Sequence, residues 1–209
     1  MRCRGQTGRI PYTVDGYARH LDGVLTELGV ARAHLVAHDF GGPWALAWAA
    51  DHLDRVASIT LINTPVDINH TAAKIWRTPV LAEVLGAALG AWFTAALLRR
   101  TDPNVPASDL DEIARHATVP GTRRAVHRLY RATGRNALGP YLARLRGFSG
   151  NVLIIWGDSD AYLGTDQARA QQELFTHARL RIVPGAGHWP WLAEPEVVSG
   201  HLTAFLREQ

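Results

Sequence analysis

The sequence predicts an α/β fold, with a parallel sheet of about four strands and an all-helical insertion between the second and third. Three observations predict it. Short apolar runs at 33–37, 56–62, 152–156 and 180–183 alternate with helical stretches, the pattern of a parallel sheet covered on both faces. Residues 66–147 carry helical periodicity broken by proline and glycine, and no strand alternation. Polar groups able to do chemistry follow three of the apolar runs, where open parallel sheets collect their functional residues.

Taken in order, residues 1–12 contain Gly5, Gly8 and Pro11 without an apolar period, and read as loop. Thr13 or Asp15 can cap a helix reaching Leu28, with Tyr17, Leu21, Val24, Leu25 and Leu28 on one side and Gly29 ending it. The 33–37 strand runs into Ala37-His38-Asp39-Phe40-Gly41 and then an alanine- and tryptophan-rich helix over 43–50. Small residues two before and two after an apical acid let strand and helix pack closely while the central side chain stands out in a strained turn, the logic of a nucleophile elbow. The second strand stops at Asn63-Thr64-Pro65. Within the insertion, helices are predicted at 72–77, 81–98, 109–117, 121–132 and 138–145. The third strand delivers Gly157-Asp158-Ser159-Asp160 and a helix over 166–175. The fourth delivers Pro184-Gly185-Ala186-Gly187-His188-Trp189-Pro190, and a helix over 195–206 closes the chain.

Composition narrows the partners. Of 209 residues, 47% are hydrophobic and 20% charged, which suits one folded domain with an inserted subdomain. The net charge of +3 comes from arginines spread along the chain, with local clusters at Arg99-Arg100 and Arg123-Arg124 and further arginines to Arg146. Nucleic-acid binding wants basic residues on one face with aromatic partners, so no nucleic-acid partner is expected. Cys3 is the single cysteine, which excludes an internal disulfide and fits a reducing compartment. No charged-then-apolar leader is visible, so a cytoplasmic location is expected. The apolar stretch 84–98 contains Gly86 and Gly90 and falls short of the roughly 20 residues of a membrane span. It reads as a buried or lid helix. The histidines show no metal-ligand spacing, and neither metal nor cofactor is expected.

Asp39, Asp160 and His188 each sit just past the carboxyl end of a strand, in the order nucleophile, acid, histidine. Taken alone, Asp39 reads equally as a helix N-cap, and His188 as a structural histidine. Together, ordered around a helical insertion, they make one pattern. On these residues the chain resembles the alpha/beta-hydrolase superfamily, in the aspartate-nucleophile branch of epoxide hydrolases and haloalkane dehalogenases. His38-Asp39-Phe40-Gly41-Gly42 is similar to that branch's elbow, Asp160 to its acid and His188 to its C-terminal histidine. Residues 66–147 are similar to its cap, leaving 1–65 and 148–209 as two parts of the core. The resemblance implies a partial alpha/beta-hydrolase fold. Arg4-Gly5-Gln6-Thr7-Gly8 resembles the tail of the loop after the family's fourth strand, and no His-Gly pair supplies a second oxyanion donor. The chain is therefore expected to be N-terminally shortened, with the 33–37 strand exposing an apolar edge. Cover of that edge by a second copy, as a homo-oligomer, is the competing expectation.

A carboxylate is already ionised at neutral pH and needs no base to act as a nucleophile. The resemblance implies an alkyl ester on Asp39, formed from a small apolar organic substrate. Water then hydrolyses it with His188 as general base, Asp160 orienting the imidazole, and the Phe40 main-chain N–H as an oxyanion donor. Family spacing favours Asp160 over Asp158 as the acid. An epoxide is preferred to a haloalkane, because Phe40 stands where dehalogenases place an indole N–H. Tyr130 or Tyr141 would donate to the epoxide oxygen, and Trp76, Trp92 and Trp189 complete the expected substrate-binding set. A reading from another class is a catalytically weakened hydrolase-fold protein that binds through its apolar cap.

Overall fold

A computed structural model describes residues 11–68, 71–78 and 90–209. Expectations for residues 1–10, and for the first half of the 81–98 helix, lie outside the described residues. Four strands, β1 (Ala33–His38), β2 (Val56–Ile62), β3 (Asn151–Gly157) and β4 (Arg179–Val183), pair in parallel in sequence order. Their registers run Leu35 opposite Ile59, Ile59 opposite Val152 and Ile154 opposite Leu180. Strand alternation sorts the side chains. Val152, Ile154 and Trp156 of β3 enter the main core with Ile59 and Leu61 of β2, while Leu153 and Ile155 enter a smaller core on the opposite face.

The main core is closed by α1 (Val14–Glu27), α2 (Gly41–Asp51), α7 (Gly139–Leu145) and α8 (Thr165–Leu174). Thr13 caps α1, its hydroxyl accepting from Gly16 N at 3.0 Å, and Gly29 ends it at φ 67°. The expected apolar side needs correction. Val14 and Ala18 are the buried positions, with Leu21 and Leu25 packed partly against the core, whereas Val24 and Leu28 face outward. Positions 14, 18, 21 and 25 form one helical stripe, and that stripe meets the alanines of α2. Asp22 ties the two helices, accepting from Trp48 Nε1 at 3.1 Å and Arg55 Nη1 at 2.9 Å.

On the opposite face, after the short α9 (Pro190–Ala193), α10 (Pro195–Arg207) lays Val198 and Phe205 beneath β3 and β4. β1 stands at the edge of the sheet, pairing only with β2 among the described residues. Leu35 and Ala37 are buried, but Val36 on the other face is 49% exposed. The strand expected to be buried is thus covered on one side only.

Between β2 and β3 the described residues form helices alone: α3 (Thr71–Arg77), α4 (Ala91–Thr101), α5 (Ala107–Ala117), α6 (Pro120–Ala132) and α7. The expected unbroken helix over 81–98 does not form, because Gly90 is extended at ψ 173° and starts α4 afresh. α4 and α5 pack through Ala95, Leu98, Leu110 and Ala114, and Trp189 and Leu192 of the core join that cluster. Among the described residues no helix is long and apolar enough to cross a membrane, and no cluster of three or more His, Cys, Asp or Glu could hold a metal ion.

Candidate active site

β1 ends in a tight turn in which the Asp39 carbonyl accepts from Gly42 N at 3.0 Å and α2 begins at Gly41. Asp39 itself is left-handed, with φ 45°, a conformation a non-glycine residue holds only under constraint. The strain lifts its carboxylate out at the carboxyl edge of the sheet. The close approach of strand and helix falls at Gly42 rather than at Gly41. A Cβ at Gly42 would overlap Thr64 Cγ2, whereas one at Gly41 would meet open space. Thr64 is held in turn by its hydroxyl, which donates to Ile62 O at 3.2 Å.

The next strand end repeats the device. Asn63, after β2, is also left-handed, with φ 40°. Its amide donates to Asp160 Oδ2 at 2.7 Å and accepts from Gly157 N at 3.0 Å. Asp160, on the loop after β3, has a fully buried side chain. Its Oδ1 accepts from Tyr162 N at 2.7 Å and Leu163 N at 3.0 Å, and its Oδ2 from Asn63 and from His188 Nδ1 at 2.8 Å. Burial pushes the Asp160 carboxyl up, but the His188 hydrogen bond and charge and the two main-chain donors outweigh it, and the net pKa is lowered. Asp160 is therefore an anion at neutral pH.

His188, after β4, lies between the two acids. A carboxylate only accepts, so Nδ1 carries the proton toward Asp160 and leaves Nε2 facing Asp39 Oδ2 at 4.0 Å. Burial pulls the imidazole down, while the Asp160 hydrogen bond and the charges of Asp39, Asp160 and Asp102 pull it up and win. For Asp39, 35% of the side-chain surface remains open, yet the surrounding protein desolvates the carboxylate. That burial raises its pKa against the opposing pull of the His188 charge and the Phe40 main-chain N–H. His38 donates from Nε2 to His188 O at 2.9 Å, and burial followed by the His188 charge pulls it down to about 3. It is neutral and holds the histidine loop against β1.

Asp158, the competing acid, accepts from Gly185 N at 2.8 Å and pins that loop instead. Tyr130 of α6 meets the Phe40 ring edge-on at 5.0 Å. Its pKa is raised by burial and then by the Asp39 charge, so its hydroxyl stays protonated. Trp189 stands edge-on to His188 at 4.9 Å. Trp76 stacks on His127 at 5.4 Å, where α3 meets α6. Two expected substrate-binding residues are placed elsewhere. Trp92 is 79% exposed at the start of α4, because the α4–α5 contact uses Ala95 and Leu98 on the other side of that helix. Tyr141 packs in the main core with its hydroxyl 3.4 Å from Asp15.

Three residues at the site escaped the sequence reading. Tyr162 lies edge-on to His188 at 5.2 Å; its signal is the Asp-x-Tyr spacing that lets Asp160 accept main-chain bonds two and three residues on. Asn63 had a weaker one, a polar residue at a strand's carboxyl end. Asp102, whose Oδ1 accepts from His188 N at 2.6 Å, had none.

Over residues 1–200 the sequence matches the Alpha/beta hydrolase family. It is 23% identical over 224 residues to Epoxide hydrolase 3 of Xenopus tropicalis, covering 94% of this chain and 59% of that protein. It is 25% identical over 207 residues to 2-hydroxymuconate semialdehyde hydrolase of Pseudomonas putida, covering 94% and 70%. Among solved structures, a meta-cleavage product hydrolase of Pseudomonas fluorescens matches with a TM-score of 0.77 at 21% identity, over 98% of this chain and 75% of that one. The chain spans 59%, 64% and 58% of the length of three curated relatives. The family match, the parallel sheet and the elbow agree: the chain belongs to the alpha/beta hydrolase family.

Proposed function

We propose that this hydrolase works through an alkyl ester on Asp39, with epoxides as its substrates. The observation that carries the reading is the residue at the apex of the strained turn: a carboxylate, with no hydroxyl or thiol in its place, and His188 Nε2 4.0 Å away. An Asp39 oxygen attacks an epoxide carbon, the carbon–oxygen bond breaks, and the ring oxygen takes a proton from the Tyr130 hydroxyl. Water then attacks the ester carbonyl carbon and gives its proton to His188 Nε2, while the Phe40 N–H steadies the oxyanion. Collapse breaks the bond between that carbon and the alkyl oxygen, which takes the hydroxyl proton, so that a diol leaves and the carboxylate is restored; the proton held on His188 returns to the Tyr130 oxygen.

The charges support this order of events. Asp39 is one of the anions that raise the proton affinity of His188. Esterification removes that charge, so the imidazole gives up its proton more readily when a base is needed. A haloalkane reading has less support, since Phe40 offers a leaving halide no side-chain N–H and Trp92 faces solvent. Names among the relatives include both epoxide hydrolases and a semialdehyde hydrolase, so the substrate must be tested directly.

Incubation with a panel of epoxides and haloalkanes, followed by peptide mass spectrometry, is expected to show a transient adduct on Asp39. His188→Gln should trap it, and Asp39→Asn should abolish both adduct and turnover. Undiminished turnover in Asp39→Asn would remove the mechanism. A protein that binds these compounds without ever forming an adduct would support the weakened, binding-only reading.

A further inference from the structure

We infer that Asp102, in the turn after α4, is a positioning residue for His188: its carboxylate grips the His188 main-chain N–H and sets the imidazole between Asp39 and Asp160. The inference rests on His188 acting as the base. Asp102 is 1% exposed, and among the described residues no arginine or lysine pairs with it. A buried carboxylate without a cation is costly unless hydrogen bonds satisfy it. Its two oxygens are used separately. Oδ1 accepts from His188 N at 2.6 Å, and Oδ2 accepts from Thr101 Oγ1 at 2.9 Å.

Neighbouring contacts make the grip bidirectional. Asn104 Nδ2 donates to Gly185 O at 2.9 Å, so the turn holds both ends of the histidine loop. Thr101 also lies beside the Tyr162 side chain, and the Tyr162 main chain in turn supports Asp160. The loop is shaped to receive the acid, since a Cβ at Gly187 would land on Asp102 Oδ1. The helical insertion thereby grips the histidine loop through Asp102 and lies against the acid loop through Thr101. The charged and titratable groups facing His188 are Asp39 from the elbow, Asp160 and Tyr162 from the β3 loop, neutral His38 from β1, and Asp102. Asp102 is thus a third anion acting on the imidazole, placed behind its main chain.

Two variants separate the grip from the charge. Asp102→Asn keeps an acceptor for the His188 N–H and removes the charge; Asp102→Ala removes both. His188 is followed by NMR in protein carrying 13C-labelled histidine, with His188→Gln to assign its signals. Single-turnover rates of Asp39 ester formation and hydrolysis are measured on an epoxide. In Asp102→Asn the proton affinity of His188 should fall by about threefold or more, with ester hydrolysis retained. In Asp102→Ala the Nδ1 proton signal should be lost, and ester hydrolysis should fall ~10–100-fold with ester formation little changed. The inference is overturned if both variants keep the parent's His188 midpoint and Nδ1 signal. If Asp102→Ala does not fold, an unchanged midpoint in Asp102→Asn overturns it alone. Absence of epoxide turnover in the parent would count against the proposed chemistry, while the NMR readouts would still decide the grip.

Discussion

Replacing Asp160 with Asn probes the site at its most constrained point. The carboxylate accepts four hydrogen bonds, two from main-chain N–H groups and two from the side chains of Asn63 and His188. An amide has one oxygen. If that oxygen stays with the N–H groups of Tyr162 and Leu163, the new NH2 faces two donors. His188 must then move its proton from Nδ1 to Nε2 to avoid a clash, and the nitrogen facing Asp39 loses its lone pair. Ester hydrolysis is expected to slow ~10²–10⁴-fold, while ester formation changes within a few-fold. Two lost charge-assisted bonds at ~1.5–3 kcal/mol each bound the stability cost at about 6 kcal/mol. The lower cost of burying a neutral amide offsets part of this, leaving about 3 kcal/mol. Rapid quench with intact-mass detection resolves the two steps, and urea unfolding gives the stability. Equal slowing of both steps would refute the tautomer argument, because it would place Asp160 in the alkylation step as well.

Asp160 sits below the ordinary carboxylate pKa and His188 above the ordinary imidazole pKa. The first stabilises the fold above pH ~3.9 and loses its contribution as pH falls through the folded value; the second stabilises below pH ~6.5 and is lost as pH rises through its own. Thermal melts should therefore fall off on both sides, the acid loss being partly offset by Asp39, whose shift has the opposite sign; a His188→Gln variant that kept the full alkaline slope would contradict this assignment. Gly42→Ala should cost about 1–3 kcal/mol by overpacking, and less in a Thr64→Ser background that lacks the clashing methyl; equal costs in both backgrounds would disprove the contact. Tyr130→Phe should slow ester formation from an epoxide ~10²–10⁴-fold and leave a haloalkane rate unchanged, and equal losses on both would point to a packing role.

The four strands, their parallel pairing and the elbow were legible because local sequence encodes them. Each apolar run is short, ends in a turn residue and alternates with a helix. Residues such as Val36 were misread because burial on the second face depends on where α10 lies, and α10 is distant in sequence. Gly90 shows a related limit: an apolar stretch cannot reveal which of its glycines interrupts the helix. At the site, the proximity of Asp160 and His188 followed from motif order. The choice between Tyr130 and Tyr141 did not, since both sit on helices of the insertion and only docking decides which one packs against Phe40 beside the elbow. Asp102 was invisible for the same reason, its contact being made with the loop after β4, 86 residues further along the chain.

The order of the strands has a consequence for how the site comes into being. β1 and β2 are joined by roughly 17 residues and β2 and β3 by roughly 90, so closing the second crossover costs ~1.5 kcal/mol more in chain entropy. Asp39 belongs to the half that closes cheaply; Asp160 and His188 belong to the half that must wait for the helical insertion to condense. Partly folded chains would then hold a formed elbow with no histidine beside it. Recovery of activity after refolding should lag behind the burial of Trp48 in the first half, and the length of that lag would measure how long the insertion takes to bring the two halves of the site together.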